Sequence, residues 1–381
     1  MVSYADVEKL LASQHDEPRV LSLYLEVPLD HQELRVLPAR ASDLITAASG
    51  APRGPDAERV LAHARQEVRH FLDSRARTWA GHCAGIFVCG QEGLAEAIKL
   101  PAGTGERAVL ATRPHVRPLL AALQRHPAYW VVVVNRRHAW LFSVSGDQIG
   151  LVAQPTGPGL RSAGYGGWYG LESYGTNERI AGLAHQHFED TAEMLGRAIR
   201  RAPGEMFVVG GHVATIPRFL AALGHDERKL FAGSFAVDTA TMTPGKIRAL
   251  ADPVIRTRVD RTERAVVDEI RRQPPGGLAA VGMPQCLAAV RQHSIRALAV
   301  PGQALVPGYA CRACGALGMT RAELKAFGSG CEHGDSRAIA VPDLVEEVVV
   351  VTIADGGMVE AVAAPPDGIA ALLRFPLMPG G

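Results

Sequence analysis

Two groups of residues have types and spacings that suit chemistry. In the first, Cys311 and Cys314 form a C-x-x-C pair, and Cys331 and His333 follow as a C-x-H pair. Tetrahedral zinc needs such a set, because each close pair presents two donors to one point and the thiolates neutralise the ion. Gly315, Gly318, Gly328 and Gly330 lie between the pairs and supply turns. Four protein ligands leave no open coordination position, so the expected role of the ion is in folding. The alternative is three reduced cysteines in a turn-rich insertion beside a surface histidine. The second group lies in the glycine-rich run from Gln154 to Gly175, QPTGPGLRSAGYGGWYGLESYG. Gly166 and Gly167 permit close approach to an RNA backbone, and Tyr165, Trp168 and Tyr169, with Tyr174 further on, offer rings on which unpaired bases stack. The alternative is a connection whose aromatics fold back on a sheet.

Basic residues form two smaller sets. Arg136 and Arg137, next to His138, fall at the tip of an expected hairpin and suit phosphate contact; solvated surface charge is the commoner role for such pairs. Arg197, Arg200 and Arg201 end an expected helix, where cations favour the dipole, and add to the same patch if both sets share a face. His185 and His187 project about 200° apart around that helix, so they cannot share a metal. The stretch VVGGHVATIP lacks the glycine spacing of a dinucleotide fingerprint. Cys83, Cys89 and Cys286 stand alone in apolar surroundings and read as small core residues.

The elements that must position these groups make up an α/β chain. Its 381 residues exceed one ordinary core, and 47% hydrophobic with 21% charged residues excludes a disordered or fibrous chain. A formal net charge of +1 gives no global attraction to phosphate, so any nucleic-acid contact depends on local patches. The opening MVSYADVEKLLASQHDEPRV lacks the apolar run of a signal peptide, and no later run approaches membrane-spanning length. A cytoplasmic location without a disulfide framework is the expectation, with no membrane and no DNA as partner.

Three domains are expected: 1–125, 126–275 and 276–381. The first reads as a helix from Ala5 to Ser13, the strand RVLSLYLEV, two helical stretches ending near Arg77 and the strand AGIFVCG. PAGTGERAVLATRPHVRP reads as a surface connection leading to the boundary near Arg125. The second opens with the hairpin YWVVVVNRRHAWLFSVSGDQI and passes through the glycine-rich loop to a long helix from Glu178 that Thr176 or Asn177 could cap. Strand MFVVGG, a short helix, strand SFAVDT and a helix from about Pro244 to Arg272 follow. Pro274-Pro275 and Gly276-Gly277 mark the second boundary. Beyond it, strands alternate with single helices, the last of these helices lying around Val341 to Glu347.

The order of these motifs resembles the archaeal and eukaryotic peptide-chain release factors and their bacterial relatives. The run from Trp130 to Ile149, the loop and the helix from Glu178 look like that family's middle domain; GGLAAVGMPQCLAAVRQHSIRALAV and GMVEAVAAPPDGIAALLRFPL look like its third. The resemblance implies an RNase H-like mixed sheet with helices in the middle. It also implies a third domain that is an α/β/α sandwich like kink-turn-binding ribosomal proteins, with a zinc-binding insertion. In the family the loop carries Gly-Gly-Gln, which enters the peptidyl-transferase centre and helps water attack the peptidyl-tRNA ester. Here Gly166 and Gly167 are followed by Trp168 and Tyr169, and one indole N–H does not reproduce the amide's geometry around a water. No catalytic residue is assigned, and residues 1–125 hold no equivalent of the stop-codon-reading Asn-Ile-Lys-Ser. The resemblance therefore implies a factor that occupies the ribosomal A site, in ribosome rescue or protection of idle ribosomes. Its partners would be ribosome, tRNA and rRNA, with a translational GTPase as a candidate. A peptidyl-tRNA hydrolase or tRNA-cleaving nuclease is the enzymatic alternative, and a scaffold binding a translational GTPase or structured RNA is the third.

Overall fold

A computed structural model describes residues 4–12, 20–48, 55–89, 95–155, 172–201, 206–325 and 337–378. They form a mixed α/β protein with several sheets. The chain divides into two compact units, one of residues 1–124 with 262–381 and the other of residues 125–261.

The first unit begins with α1 (Tyr4–Leu11), β1 (Val20–Val27), α2 (His31–Ala47), α3 (Pro55–Ser74), β2 (His82–Cys89), β3 (Ala95–Pro101), β4 (Arg107–Ala111) and α4 (Arg117–Arg125). The strands order as β3-β2-β1-β4, with antiparallel neighbours. Central β1 is buried on both faces, which is why VLSLYLEV is almost continuously apolar. Leu21, Leu23, Leu25 and Val27 meet Leu37, Ile45, Leu61 and Phe71 of α2 and α3. On the opposite face, Tyr24 joins a core with residues from the C-terminal part of the same unit.

The expected surface connection across residues 101–118 is corrected here. It contains β4, which pairs with β1, and it ends on His115 and Arg117, at 1% and 0% exposure. Glycines and charges gave the stretch the look of a loop; partners more than 220 residues away in sequence neutralise the charges and allow burial.

The second unit consists of β5 (Tyr129–Val134), β6 (Ala139–Ser145), β7 (Gln148–Ala153), α5 (Glu172–Arg201), β8 (Met206–Gly211), α6 (Ile216–Ala221), α7 (His225–Lys229), β9 (Phe231–Ala236) and the first part of α8 (Pro244–Arg272). Its sheet runs β7-β6-β5-β8-β9, antiparallel from β7 to β5 and parallel from β5 to β9. One face packs Val132, Val134 and Val209 against Phe188 and Leu195 of α5. The other packs Val131, Val133 and Val208 against Ile247, Ala251 and Ile255 of α8. The hairpin and α8 lie where the sequence put them. The long helix starts at Glu172, so Thr176 and Asn177 lie inside it and do not cap it. Once a helix is nucleated, a poor helix former such as Gly175 costs only about 1 kcal/mol, and the helix extends past it.

The first unit resumes with the rest of α8 and continues through β10 (Ala279–Val281), α9 (Met283–Arg291), β11 (Ile295–Pro301), β12 (Gly308–Cys311), β13 (Leu317–Gly318), α10 (Arg321–Lys325), β14 (Ala338–Val341), α11 (Leu344–Ala354), β15 (Met358–Val362) and β16 (Ala370–Leu373). One sheet orders as β10-β16-β11-β15, and a small one as β13-β12-β14. Helix α11 runs past the expected end at Glu347 through Val348–Val351, a β-branched run; it is apolar almost all round because both sides are packed. Among the described residues no helix is long and apolar enough to cross a membrane.

Candidate nucleic-acid interface

The turn between β5 and β6 is held by one side chain. Asn135 Oδ1 accepts the N–H groups of Arg137 and His138, each at 2.8 Å, and the Asn135 backbone N–H donates to His138 O at 2.9 Å. Its Nδ2 donates to Thr239 Oγ1 at 3.0 Å, tying the turn to the segment after β9. An Asx turn of this kind fixes the backbone locally, so Arg136 and Arg137 extend into solvent from a rigid base. No acidic side chain among the described residues pairs with either.

The turn sits at a defined edge. Parallel strands β5, β8 and β9 end together, with Val134 opposite Gly211 and Gly211 opposite Ala236. In open α/β sheets this carboxyl edge is where ligands bind. The Ala139 N–H donates to Pro155 O at 3.2 Å, so the glycine-rich segment departs from beside the turn. Gly211 lies at φ +156°, and a Cβ there would come within 2.5 Å of Val134 O, so the strands approach closely only because the residue is glycine. Beneath the turn, His187 on α5 is buried and bonded to the His138 backbone; burial lowers its pKa and favours the neutral ring. His185 is exposed and pairs with Glu189, so the two histidines diverge as expected.

Of the predicted RNA-contacting residues, Arg136 and Arg137 are placed at this edge. Tyr165, Gly166, Gly167, Trp168 and Tyr169 lie outside the described residues. Arg200 and Arg201 end α5 shortly before Met206 opens β8, and Met206 pairs with Tyr129 at the start of β5. The topology therefore sets them at the edge opposite the Arg136–Arg137 turn, and Arg197 is engaged with Glu193 at 2.9 Å. The two basic sets do not merge.

Among the predicted metal ligands, Cys311 is buried at the end of β12 and Cys314 is exposed on the turn that follows. The Gly315 N–H donates to Cys311 O at 2.9 Å, the Cys311 N–H donates to Ala316 O at 2.8 Å, and Gly315 takes φ +73°. This tight turn links the two cysteines of the C-x-x-C pair, residue types that suit a zinc knuckle. Cys331 and His333 lie outside the described residues.

Sequence reading missed a buried polar network in the first unit. Asp343 caps α11 by accepting from Val345 N at 3.2 Å, and it also accepts from Arg117 Nη2 at 2.5 Å and lies 3.0 Å from His115 Nε2. Glu346 accepts the Val116 and Arg117 N–H groups at 2.6 and 3.1 Å, capping α4 from another helix. The Arg117 guanidinium also donates to the carbonyls of Pro301 and Ala304, and the Tyr24 hydroxyl donates to His115 O. Burial alone would raise the Asp343 carboxyl, but His115, Arg117 and the Val306 N–H outweigh it and hold the group below the usual carboxylate range. Burial pushes Glu347 up, against the pull of Arg113 at 3.4 Å. His115, Asp343 and Glu346 bring ligand-type atoms within 4.8 Å of one another, but the Arg117 charge and two backbone N–H groups already engage the carboxylates. The network is a structural clamp. A signal was present in the sequence, in His115 and Arg117 flanking the apolar Val116, but only the distant Asp343 and Glu346 give it meaning.

Residues 114–256 match the family model described as bacterial archaeo-eukaryotic release factor family 10. No curated protein sequence matches. Among solved structures, the archaeal translation termination factor aRF1 aligns at 14% identity over 98% of this chain and 97% of its own, with a TM-score of 0.27. Archaeoglobus fulgidus Pelota aligns at 15% identity over 78% of this chain and 80% of its own, with a TM-score of 0.33. S. cerevisiae Dom34, a translation termination-like factor involved in RNA quality control, aligns at 10% identity over 78% and 80%, with a TM-score of 0.42. These superpositions are weak; the similarity lies in the matched segment, which spans β5 to β9, the hairpin turn and the start of α8. Over residues 114–256 the chain is similar to the bacterial archaeo-eukaryotic release factors.

Proposed function

We propose that the protein binds the ribosome in release-factor fashion, occupying the A site and directing residues 164–175 toward the peptidyl-transferase centre, in rescue or in protection of idle ribosomes. The observation that carries this reading is the shared sheet edge: the Asn135-fixed turn presents two guanidinium groups beside the point where the glycine-rich segment leaves Pro155. Guanidinium groups on a rigid turn suit rRNA or tRNA phosphates, which set register without reading sequence. Glycines and aromatics in the adjoining segment suit exposed bases and a closely approached backbone. Gly-Gly-Gln is absent from that segment, and the reading is one of binding without hydrolysis. On the same reading, 1–125 is the N-terminal α/β domain, 126–275 the RNase H-like middle domain and 276–381 the ribosomal-protein-like third domain. In the third, Cys311, Cys314, Cys331 and His333 would hold a structural zinc. Support for the zinc comes from the tight Cys311–Cys314 turn and from the Arg312 N–H donating to Arg337 O at 3.0 Å, which returns the chain beside the turn shortly after Cys331 and His333.

The test is co-sedimentation with empty and peptidyl-tRNA-loaded ribosomes, with peptide release assayed in the same tubes. Wild type is compared with a variant carrying Gly166→Ala, Gly167→Ala and Trp168→Ala. The reading expects wild-type binding without release and weaker binding by the variant. Release by the wild type would make the protein a hydrolase instead, and no sedimentation by either protein would overturn the proposal.

A further inference from the structure

Among the described residues, strand β7 is an edge of the second unit's sheet and lacks the usual guards of an edge. Gln148–Ala153 contains no charge and no proline, while Leu151 and Val152 are each 53% exposed. The other edge, β9, exposes only small residues, Ser234 and Ala236. Natural edge strands are protected by charge, proline or cover, because a row of unpaired N–H and C=O groups templates another strand.

The hydrogen-bond register identifies which groups of β7 are unpaired. A two-residue turn with Gly146 at φ +57° closes the β6–β7 hairpin on the pair Ser145–Gln148. Hydrogen-bonded pairs alternate along an antiparallel ladder, so Ser143–Gly150 is the next one, and Ile149 and Leu151 turn their backbone groups outward. The ladder then shifts register, so that Ala153 stands opposite Leu141, and the Ala139 N–H bonds Pro155 O. The extra residue is Val152, and beyond it the inward pairing resumes. Among the described residues, the free edge therefore consists of the N–H and C=O groups of Ile149 and Leu151.

Only one symmetric antiparallel register uses both residues fully. Ile149 of one copy pairs with Leu151 of the other and the reverse, which places Gly150 on the two-fold axis opposite itself. In this register the exposed Leu151 meets Ile149, an apolar contact in place of water, and no charges within β7 oppose one another. Most of β7 is exposed, with only Ile149 and Ala153 partly covered, which leaves room for a second copy's strand. We infer that β7 is a self-pairing edge, through which two copies of this chain join their sheets about Gly150. This goes beyond the ribosome-binding reading and does not depend on it.

Sedimentation equilibrium across a concentration series, with and without Leu151→Lys, provides the test, together with oxidation of a Gly150→Cys variant. Residues facing at a non-hydrogen-bonded antiparallel pair have Cα atoms about 4.5 Å apart, within disulfide range. The expected results are concentration-dependent doubling of mass by the wild type and its loss in Leu151→Lys. Oxidised Gly150→Cys should form a covalent dimer that wild type and a Leu151→Cys control do not. Circular dichroism on each variant verifies folding, which substitution of exposed side chains should preserve. A wild type that stays monomeric throughout overturns the inference, as does a dimer that tolerates Leu151→Lys and gives no Gly150→Cys cross-link.

Discussion

The buried network around Asp343 and the turn around Asn135 use similar residues for opposite ends. Each combines arginine and histidine with a short polar side chain that accepts backbone N–H groups, and each immobilises a connection between elements. At Asp343 the guanidinium of Arg117 is withdrawn from water and spent on two carbonyls and a carboxylate. At Asn135 the two guanidinium groups stay in water while the backbone beneath them is fixed. A buried charge must be fully answered inside the protein, whereas an exposed charge on a rigid base remains available to a partner. On this contrast, changes at Asp343 should affect stability, and changes at Arg136 and Arg137 should affect binding alone.

The largest effect is expected at Asp343. Asp343→Ala leaves the Arg117 charge buried and unanswered, which should destabilise the protein by roughly 3–5 kcal/mol in chemical denaturation. The pH dependence sharpens this. Because the folded-state pKa of Asp343 is depressed, its contribution is fully present above the unfolded value of 3.8 and is lost as pH falls through the folded value. The stability gap between wild type and Asp343→Ala should therefore narrow in acid below that value and be constant above it. A gap that widens in acid would place the stabilising partners elsewhere.

Next comes Arg136→Glu with Arg137→Glu, for which stability should stay within about 0.5 kcal/mol of wild type. Ribosome affinity should fall, and if each arginine contacts one phosphate, the slope of log affinity against log salt should lessen by roughly 2. Unchanged binding with an unchanged slope would mean that the turn is solvated surface. Asn135→Ala sits between the two regimes. It removes the acceptor of two backbone N–H groups and should cost about 1 kcal/mol of stability while also weakening ribosome binding through a looser turn. Binding unaffected by that loosening would separate the arginines from the rigidity of their base.

The smallest effect is expected at Glu347, whose raised pKa makes its contribution greatest below the unfolded value of 4.5 and lost as pH rises through the folded value. Glu347→Gln should therefore raise the melting temperature slightly at neutral pH and lose that advantage in acid. A lower melting temperature at neutral pH would mean that the Arg113 pair outweighs burial.

Elements with a local signature were legible in the sequence. The apolar run of β1, the valine run of β5 with its Asn-Arg-Arg turn, and the helix α8 between Pro244 and Arg272 each emerge where the sequence pattern placed them. What escaped reading depends on distant partners. Strand β4 and the His115–Arg117 segment resembled a loop because Gly103 and Gly105 precede them and charges surround them, while β4 pairs with β1 and the groups that answer His115 and Arg117 come from α11 and its cap. The β-branched run Val348–Val351 has strand propensity but is held helical by the Asp343 cap and by packing on both sides. At the candidate interface, Arg136 and Arg137 were legible as a hairpin tip, whereas the role of Asn135 in fixing it and the neighbourhood of Pro155 required three-dimensional register.

Chemical footprinting of large-subunit rRNA with the protein bound tests A-site occupancy most directly. The account predicts protection of nucleotides in the A-site side of the peptidyl-transferase centre by the wild type, lost in the Gly166→Ala, Gly167→Ala, Trp168→Ala variant while other protections persist. Binding that leaves the peptidyl-transferase centre fully reactive would contradict it.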